Sequence, residues 1–264
     1  MASQGIRIKD LNEGLLDDRI SVCGEKQPVE QPSIRLGIKE KKQWLRKMLR
    51  ETGSPTKILY VNNRPEGQIQ FYPETSIPFL KDPDPKTIHV MCSYIHLAHQ
   101  GNGYRKKLFN DLLADVKRDG RVESIDTLSF DPPGCGLAQS VFWKHLGFRE
   151  RPDGKANELQ YPIKGNLTRP RRGNPRRVNE KGVKIFYEPT CIFTHYFDDK
   201  LMEAIRAIDQ EITVEKINMW EKPEIARARN LVQSCVYING KPMEHSIFEG
   251  EEFKNELRNL LSKS

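Results

Sequence analysis

Residues 169–182, "RPRRGNPRRVNEKG", set the first limit on how this chain folds. They hold six Lys/Arg against one acid, two prolines, two glycines and almost no apolar residue. Such a segment has nothing to bury, so it reads as a linker between a unit at 1–168 and one at 183–264. The charge divides along the same line, with +5 on 1–168, +5 on 169–182 and −3 on 183–264. A basic run of this kind can also bind nucleic acid, but no aromatic residue is interleaved to stack on bases, which favours a solvated linker.

Other bulk properties narrow the class. Hydrophobic residues make up 37% and charged residues 30%, and no apolar run approaches the roughly eighteen residues of a membrane span. The N-terminal "MASQGIRIKD" lacks the apolar centre of a secretion signal. The five cysteines, Cys23, Cys92, Cys135, Cys191 and Cys235, are odd in number and widely spaced. With no Cys-x-x-Cys they spell neither a disulfide framework nor a metal site, and a reducing cytoplasm is expected.

In 1–168 strand and helix patterns alternate, which predicts an α/β or α+β class with a mixed sheet. "IRIKDL", "TKILYV", "GQIQFY", "TIHVMCSYIHLA" (87–98), "ESIDTLSF" and "NELQYPI" read as strands. Helical faces run through Ile38, Trp44, Leu45, Met48 and Leu49, through Leu108, Phe109, Leu112, Leu113 and Val116, and across 135–148. Between the strand 87–98 and the following helix stands "HQGNGYRKKLF" (99–109). A helix N-terminus has free N–H groups and a partial positive charge, and glycines let a bulky anion approach the main chain. Arg105, Lys106 and Lys107 oppose the helix dipole unless an anion is bound there, so the stretch predicts a phosphate cradle. It lacks the Gly-Lys-Ser/Thr of a nucleotide loop, and Lys106 breaks a dinucleotide fingerprint.

What remains, Gln100-x-x-Gly103, resembles the pyrophosphate loop of the GNAT superfamily, the acetyl-CoA-dependent N-acetyltransferases. "VFWKHLGF" (141–148) resembles the later helix of that superfamily, and the order of elements over 87–150 agrees. The resemblance implies a mixed sheet flanked by helices and direct transfer of acetyl from acetyl-CoA to a primary amine on a small molecule or peptide. It implies that Ile95, His96 and Leu97 offer main-chain groups to the pantetheine and the acetyl oxygen. Gln100, Gly101, Asn102, Gly103, Tyr104 and Arg105 would hold the pyrophosphate. Trp143 lies beside the cofactor arm, in the place of a tyrosine acid whose role an indole cannot fill. Candidate catalytic groups are Glu74 as base, with Cys92 on the cofactor strand, and Cys135 or Ser140 as acid. Each has a plainer reading as a loop carboxylate, a core thiol or a capping group. His96 reacts or hydrogen-bonds locally. A non-catalytic acyl-CoA sensor is the rival reading.

The order strand, helix, strand, helix, hairpin, helix over 183–264, with "VYINGKP" as the hairpin, resembles a smaller thioredoxin or glutaredoxin-like βαβαββα domain. Cys191-Ile-Phe-Thr194 keeps the first cysteine of the redox motif without the second, and Ser234 stands at the cis-proline position. The Cys191 thiol is expected to be acidified by a helix N-terminus. A docking module, a monothiol site and a structural cysteine remain open, and Cys235 is a candidate partner for Cys191. The second unit presents substrate, closes over the cofactor gap or mediates self-association. The second rival function is a thiol oxidoreductase acting through Cys191.

Overall fold

The computed structural model describes residues 5–24, 29–129, 131, 138–169 and 174–262. The first unit runs β1 (Ile6–Asp10), α1 (Leu16–Gly24), α2 (Pro32–Thr52), β2 (Thr56–Val61), β3 (Arg64–Pro73), β4 (Thr87–Ile95), α3 (Tyr104–Asp119), β5 (Ser124–Leu128), α4 (Gln139–His145), β6 (Arg149–Glu150) and β7 (Glu158–Pro162). Its seven strands form one sheet in the order β1-β2-β3-β4-β5-β7-β6. Only β4 and β5 pair in parallel, with α3 as the crossover that parallel strands require. The β2–β3 turn is tighter than "NNRPEG" suggested. Asn62 and Asn63 both take positive φ (50° and 66°), the geometry that suits a two-residue hairpin.

Strand alternation sends side chains to two cores. On one face Leu59, Ile69, Val90, Ile125 and Leu159 pack against α3 and α4 through Leu108, Phe109, Leu112 and Trp143. On the other, Ile58, Tyr60 and Tyr72 pack under α2 through Trp44, Leu45 and Met48. The buried stripe of α2 is Ile34, Gly37, Lys41, Trp44, Leu45 and Met48, spaced three and four apart as one helix face requires. A lysine therefore sits where an apolar residue is expected.

The second unit comprises β8 (Val183–Tyr187), α5 (Thr194–Arg206), β9 (Val214–Asn218), α6 (Pro223–Ala228), β10 (Cys235–Ile238), β11 (Lys241–Pro242) and α7 (Glu251–Leu261). The sheet order is β11-β10-β8-β9, with β8 and β9 parallel and the other pairs antiparallel. Its hairpin turns at Asn239 and Gly240, both at positive φ. Val183, Ile185 and Ile238 pack against α5 and α7 through Leu201, Ile205, Phe253 and Leu257.

The opposite face of this small sheet is not exposed. Phe186, Ile217, Met219, Trp220 and Tyr237 join the core that holds Trp44 and Tyr72 of the first unit. Polar contacts line the same seam. Glu40 Oε2 of α2 lies 2.9 Å from His195 Nε2 of α5. Lys216 Nζ donates to His195 Nδ1 (3.0 Å) and pairs with Asp198 (2.8 Å).

The described part of the basic stretch, 174–182, departs from the solvated linker expected. Arg176 N–H donates to Arg229 O (2.9 Å), Val178 N–H to Gly240 O (2.8 Å), and Tyr237 Oη to Arg176 O (2.9 Å). Arg229 also pairs with Glu180 at 2.6 Å. These backbone contacts need no apolar side chain, which is why composition did not reveal them.

Candidate functional site

The first feature of the site is a mismatch in strand length. β4 and β5 are in register from Thr87↔Ser124 to Val90↔Thr127, after which β4 continues to Ile95 while β5 ends at Leu128. Among the described residues β4 has no ladder partner on its β5 side past Val90. A register shift in the β3–β4 pairing at Gln70/Phe71 bends the sheet nearby. The free stretch of β4 leads through a single turn, Leu97–His99, into the glycine loop and α3.

Gly101 has φ +79° and Gly103 φ +70°, and a Cβ on either would meet nothing within 4 Å. Backbone conformation and open approach, not packing, therefore require glycine here. Gly103 is the N-cap of α3 and has no side chain with which to satisfy the first-turn N–H groups.

Several polar side chains of this stretch brace the loop. Gln100 Nε2 donates to Ile95 O (3.0 Å), and Asn102 Nδ2 donates to His99 O (3.2 Å). His96 Nε2–H donates to Val22 O (3.1 Å), while Nδ1 lies 2.6 Å from Glu66 Oε2. Tyr104 is buried in the α3 core, the Ile95 side chain is buried, and Leu97 is 64% exposed. Arg105 is the second residue of α3. Its guanidinium lies over the Phe142 ring, 4.4 Å from the centroid, where burial lowers its pKa and the proximity of Cys92 and Tyr94 opposes that shift.

The catalytic candidates scatter. Glu74 is buried beside the start of β4, since Pro73 pairs with Ile88, and its Oε2 accepts the Asp84 N–H (2.7 Å). That places it at the end of β4 remote from the glycine loop, where it caps a turn. Cys92 Sγ accepts from Gln68 Nε2 at 3.3 Å. Ser140 opens α4, and its N–H donates to Asp131 Oδ1 (3.0 Å). Cys135 lies outside the described residues. Trp143 is 2% exposed and packs on Phe142, Phe148 and Phe109 at centroid distances of 5.0, 5.1 and 6.2 Å. It is a core residue, because the short α4 needs a large side chain to fill the space against α3.

A polar group the sequence did not signal lies on the α2 side of β3 and β4. Arg19, fully buried on α1, donates from Nη1 to Cys23 Sγ (3.0 Å) and from Nη2 to Gln70 Oε1 (2.8 Å). Gln70 Nε2 reaches the Thr190 carbonyl at 3.4 Å, one residue before Cys191. Lys41, Cys23, Cys92 and Cys191 are electrostatic neighbours here. The lysine within the α2 stripe was the available clue, but α1 itself was not legible.

Cys191 corrects its expectation. Burial pushes its thiol up from 9.0 to about 11, although Lys41 pulls the other way. The residue precedes α5 by three positions, and α2 packs straight over the loop. A Cβ on Gly37 would stand 2.1 Å from the Ile192 carbonyl oxygen. Cys235 lies elsewhere, in a cleft of about 820 Å³ lined also by Leu128, Asn157 and Phe186. Burial pushes its thiol up to about 12. Both thiols are free and their neighbours differ, so the structure does not bring the suggested pair together.

Among the described residues no group of His, Cys, Asp and Glu is arranged to hold a metal, and no helix is long and apolar enough to cross a membrane. No protein-family model matches the chain. Among curated proteins, the uncharacterized N-acetyltransferase YoaP of Bacillus subtilis (strain 168) is 22% identical over 232 residues, 84% of this chain and 88% of that protein. Aminoglycoside acetyltransferase AAC(6')-Ib in complex with coenzyme A aligns over 60% of this chain and 95% of its own, with 19% identity and a TM-score of 0.46. A GNAT family acetyltransferase from Brucella melitensis in complex with acetyl-CoA aligns over 63% and 93%, with 12% identity and a TM-score of 0.43.

Proposed function

We propose that this chain is an N-acetyltransferase that moves an acetyl group from acetyl-CoA to a primary amine, with a GNAT-like first unit and a thioredoxin-like second unit. One observation carries the reading. A parallel strand pair stops pairing after Val90, and its longer strand feeds a doubly left-handed glycine loop whose amides open α3. That arrangement suits a long ligand with a diphosphate at one end, held by main-chain donors and helix charge. The similarity to a curated N-acetyltransferase along most of the chain supports it.

The residues fit the co-substrate where it demands most. Nothing stands over Gly101 or Gly103, and the first-turn amides of α3 are uncapped by a side chain. Residues 101–105 would hold the diphosphate through main-chain N–H groups, with Gln100 and Asn102 keeping the loop in shape. The free edge at Ile95–Leu97 would take the pantetheine arm. The thioester supplies an activated acyl carbon for attack by an unprotonated amine. The protein's part is to hold the two together, stabilise the oxyanion and move two protons. Ser140 and Cys135 are the candidates for protonating the departing thiolate, since an indole at 143 cannot, and Glu74, the candidate base, stands at the other end of β4. The acceptor is a small molecule or peptide amine.

The second unit is thioredoxin-like in its strand order and in having α5 and α7 together on one face of its sheet. With the Cys191 loop packed under α2, it acts as a docked module that roofs the first unit, and the raised thiol argues against redox catalysis. The four described cysteines, all free thiols, suit a cytoplasmic location.

Calorimetry with CoA, then thiol release from acetyl-CoA across an amine panel, tests the reading. Binding followed by amine-dependent release is expected. Binding without release for any amine favours an acyl-CoA sensor, the reading that the buried Trp143 makes second. No heat with CoA ends the assignment.

A further inference from the structure

Among the described residues two lysines are buried in the first unit, and one of them meets carboxylates. Lys57 on β2 meets three carboxylates: Asp10 at 2.9 Å, Asp111 at 2.7 Å and Asp115. Lys41 on α2 is 2% exposed, and among the described residues no hydrogen bond or ion pair reaches its amine. Its neighbours are a cation, Arg19, and the thiols of Cys23, Cys191 and Cys92. Burial, reinforced by Arg19, lowers the Lys41 pKa and favours its neutral form, and an anion at this place would restore the charge.

Further unsatisfied atoms surround the same place. Arg19 Nε, a donor, and Gln68 Oε1, an acceptor, are buried without partners. Cys92 connects the group to the glycine loop: Gln68 Nε2 donates to its Sγ, and Arg105 is an electrostatic neighbour of the same thiol. Arg19 Nε and Gln68 Oε1 are thus unfilled, with the Lys41 amine in the same group, next to the strand that leads to the loop. An amine carrying a carboxylate matches all three, with its carboxylate on Lys41 and Arg19 and its amine on Gln68. A polyamine or a cationic drug would bring like charge to Arg19 and no anion to Lys41.

Building on the acetyltransferase reading, we infer that Lys41 and Arg19 bind the carboxylate of the acceptor, which is a small amino acid-like amine. Transfer forms the amide C–N bond, breaks the thioester C–S bond and leaves CoA as the thiol with the proton given up by the amine. The Cys191 loop covers the group, as the Gln70–Thr190 contact shows, so the acceptor enters with this loop lifted.

Matched pairs test this on the full chain: L-alanine with ethylamine, L-lysine with 1,5-diaminopentane, and L-phenylalanine with 2-phenylethylamine. In at least one pair the carboxylate-bearing member is expected to have kcat/KM higher by about tenfold or more, the size of a charge-assisted contact. Lys41→Met should bring that ratio close to one while melting at or above the wild-type temperature, because a desolvated amine has been replaced by an apolar group. Should Lys41→Met fail to fold, Lys41→Gln takes its place. Calorimetry with the same pairs, with and without CoA, reads the carboxylate site independently of turnover. Equal or better binding and turnover of the decarboxylated members, or a Lys41→Met protein that keeps the preference, overturns the inference. Loss of CoA binding alone strikes the acetyltransferase reading and leaves the carboxylate arm to be judged on its own heats.

Discussion

Trp44 of α2 and Trp220, just beyond β9, meet edge to face with ring centroids 5.4 Å apart. Tyr72 and Phe79 complete the nest around Trp220 at 5.8 and 6.2 Å. The two sheets therefore share one core across the seam. Trp220→Ala should cost about 3–5 kcal/mol, as large-to-small changes in aromatic cores do. Urea unfolding should show one transition moved to lower denaturant by both tryptophan fluorescence and far-UV dichroism. A shift confined to one probe would mean that the units unfold separately.

Gly37→Ala offers a test with an inverted sign. In a free helix this change stabilises by about 1 kcal/mol. Here the new methyl group would stand 2.1 Å from the Ile192 carbonyl oxygen, so the helix and the Cys191 loop must part. A net loss of about 1–3 kcal/mol is expected, the usual penalty of overpacking. A raised melting temperature would show that α2 does not press on that loop.

The glycine loop and the far end of α3 form a control pair. Gly103 and Gly120 have φ +70° and +73°, and a side chain on either meets no neighbour within 4 Å. Valine at either position should cost a similar strain of about 1–2 kcal/mol. Only Gly103→Val should weaken CoA binding, by at least about tenfold in calorimetry. Equal affinities in the two variants would remove the loop from the binding site.

Stability should fall in alkali. In the folded chain the Cys191 and Cys235 thiols ionise at about 11 and about 12, against an ordinary 9.0. The unfolded chain therefore releases these protons first. The contribution is complete below about pH 9 and shrinks as pH rises toward the folded values. Urea midpoints at about pH 8 and about pH 10 should show the decline, and Cys191→Ala should flatten part of it. Both thiols should also alkylate more slowly in the native protein than after unfolding. Rapid native alkylation of Cys191 at neutral pH would contradict its raised thiol.

Much of the fold was legible because the relevant signals are local. Period two in "TKILYV", period 3.6 in the α3 stretch, and Asn-Gly before "KP" each describe relations within a few residues. The glycine loop was legible for the same reason, since positive φ is a property of one residue and its neighbours. The site side chains were less so. Sequence order assigned Gln100 to a ligand, yet its side chain finds a carbonyl partner within the protein, whereas the His96 side chain makes the local hydrogen bond that was one of its two readings. Trp143 was matched by spacing alone, and spacing does not tell a core face from a gap-lining face on a helix as short as α4. α1 escaped notice because its buried residues include Arg19, which breaks an apolar stripe.

By itself, then, the sequence determined the alternation of strands and helices, the positions of the turns and the place where an anion can meet a helix end. The tertiary structure alone decided which charged and thiol groups lose water. Lys41 and Cys191 stand 150 residues apart, and each owes its unusual environment to the other's element packing over it. Desolvation is set by whatever covers a group in space, and no window along the chain contains that information.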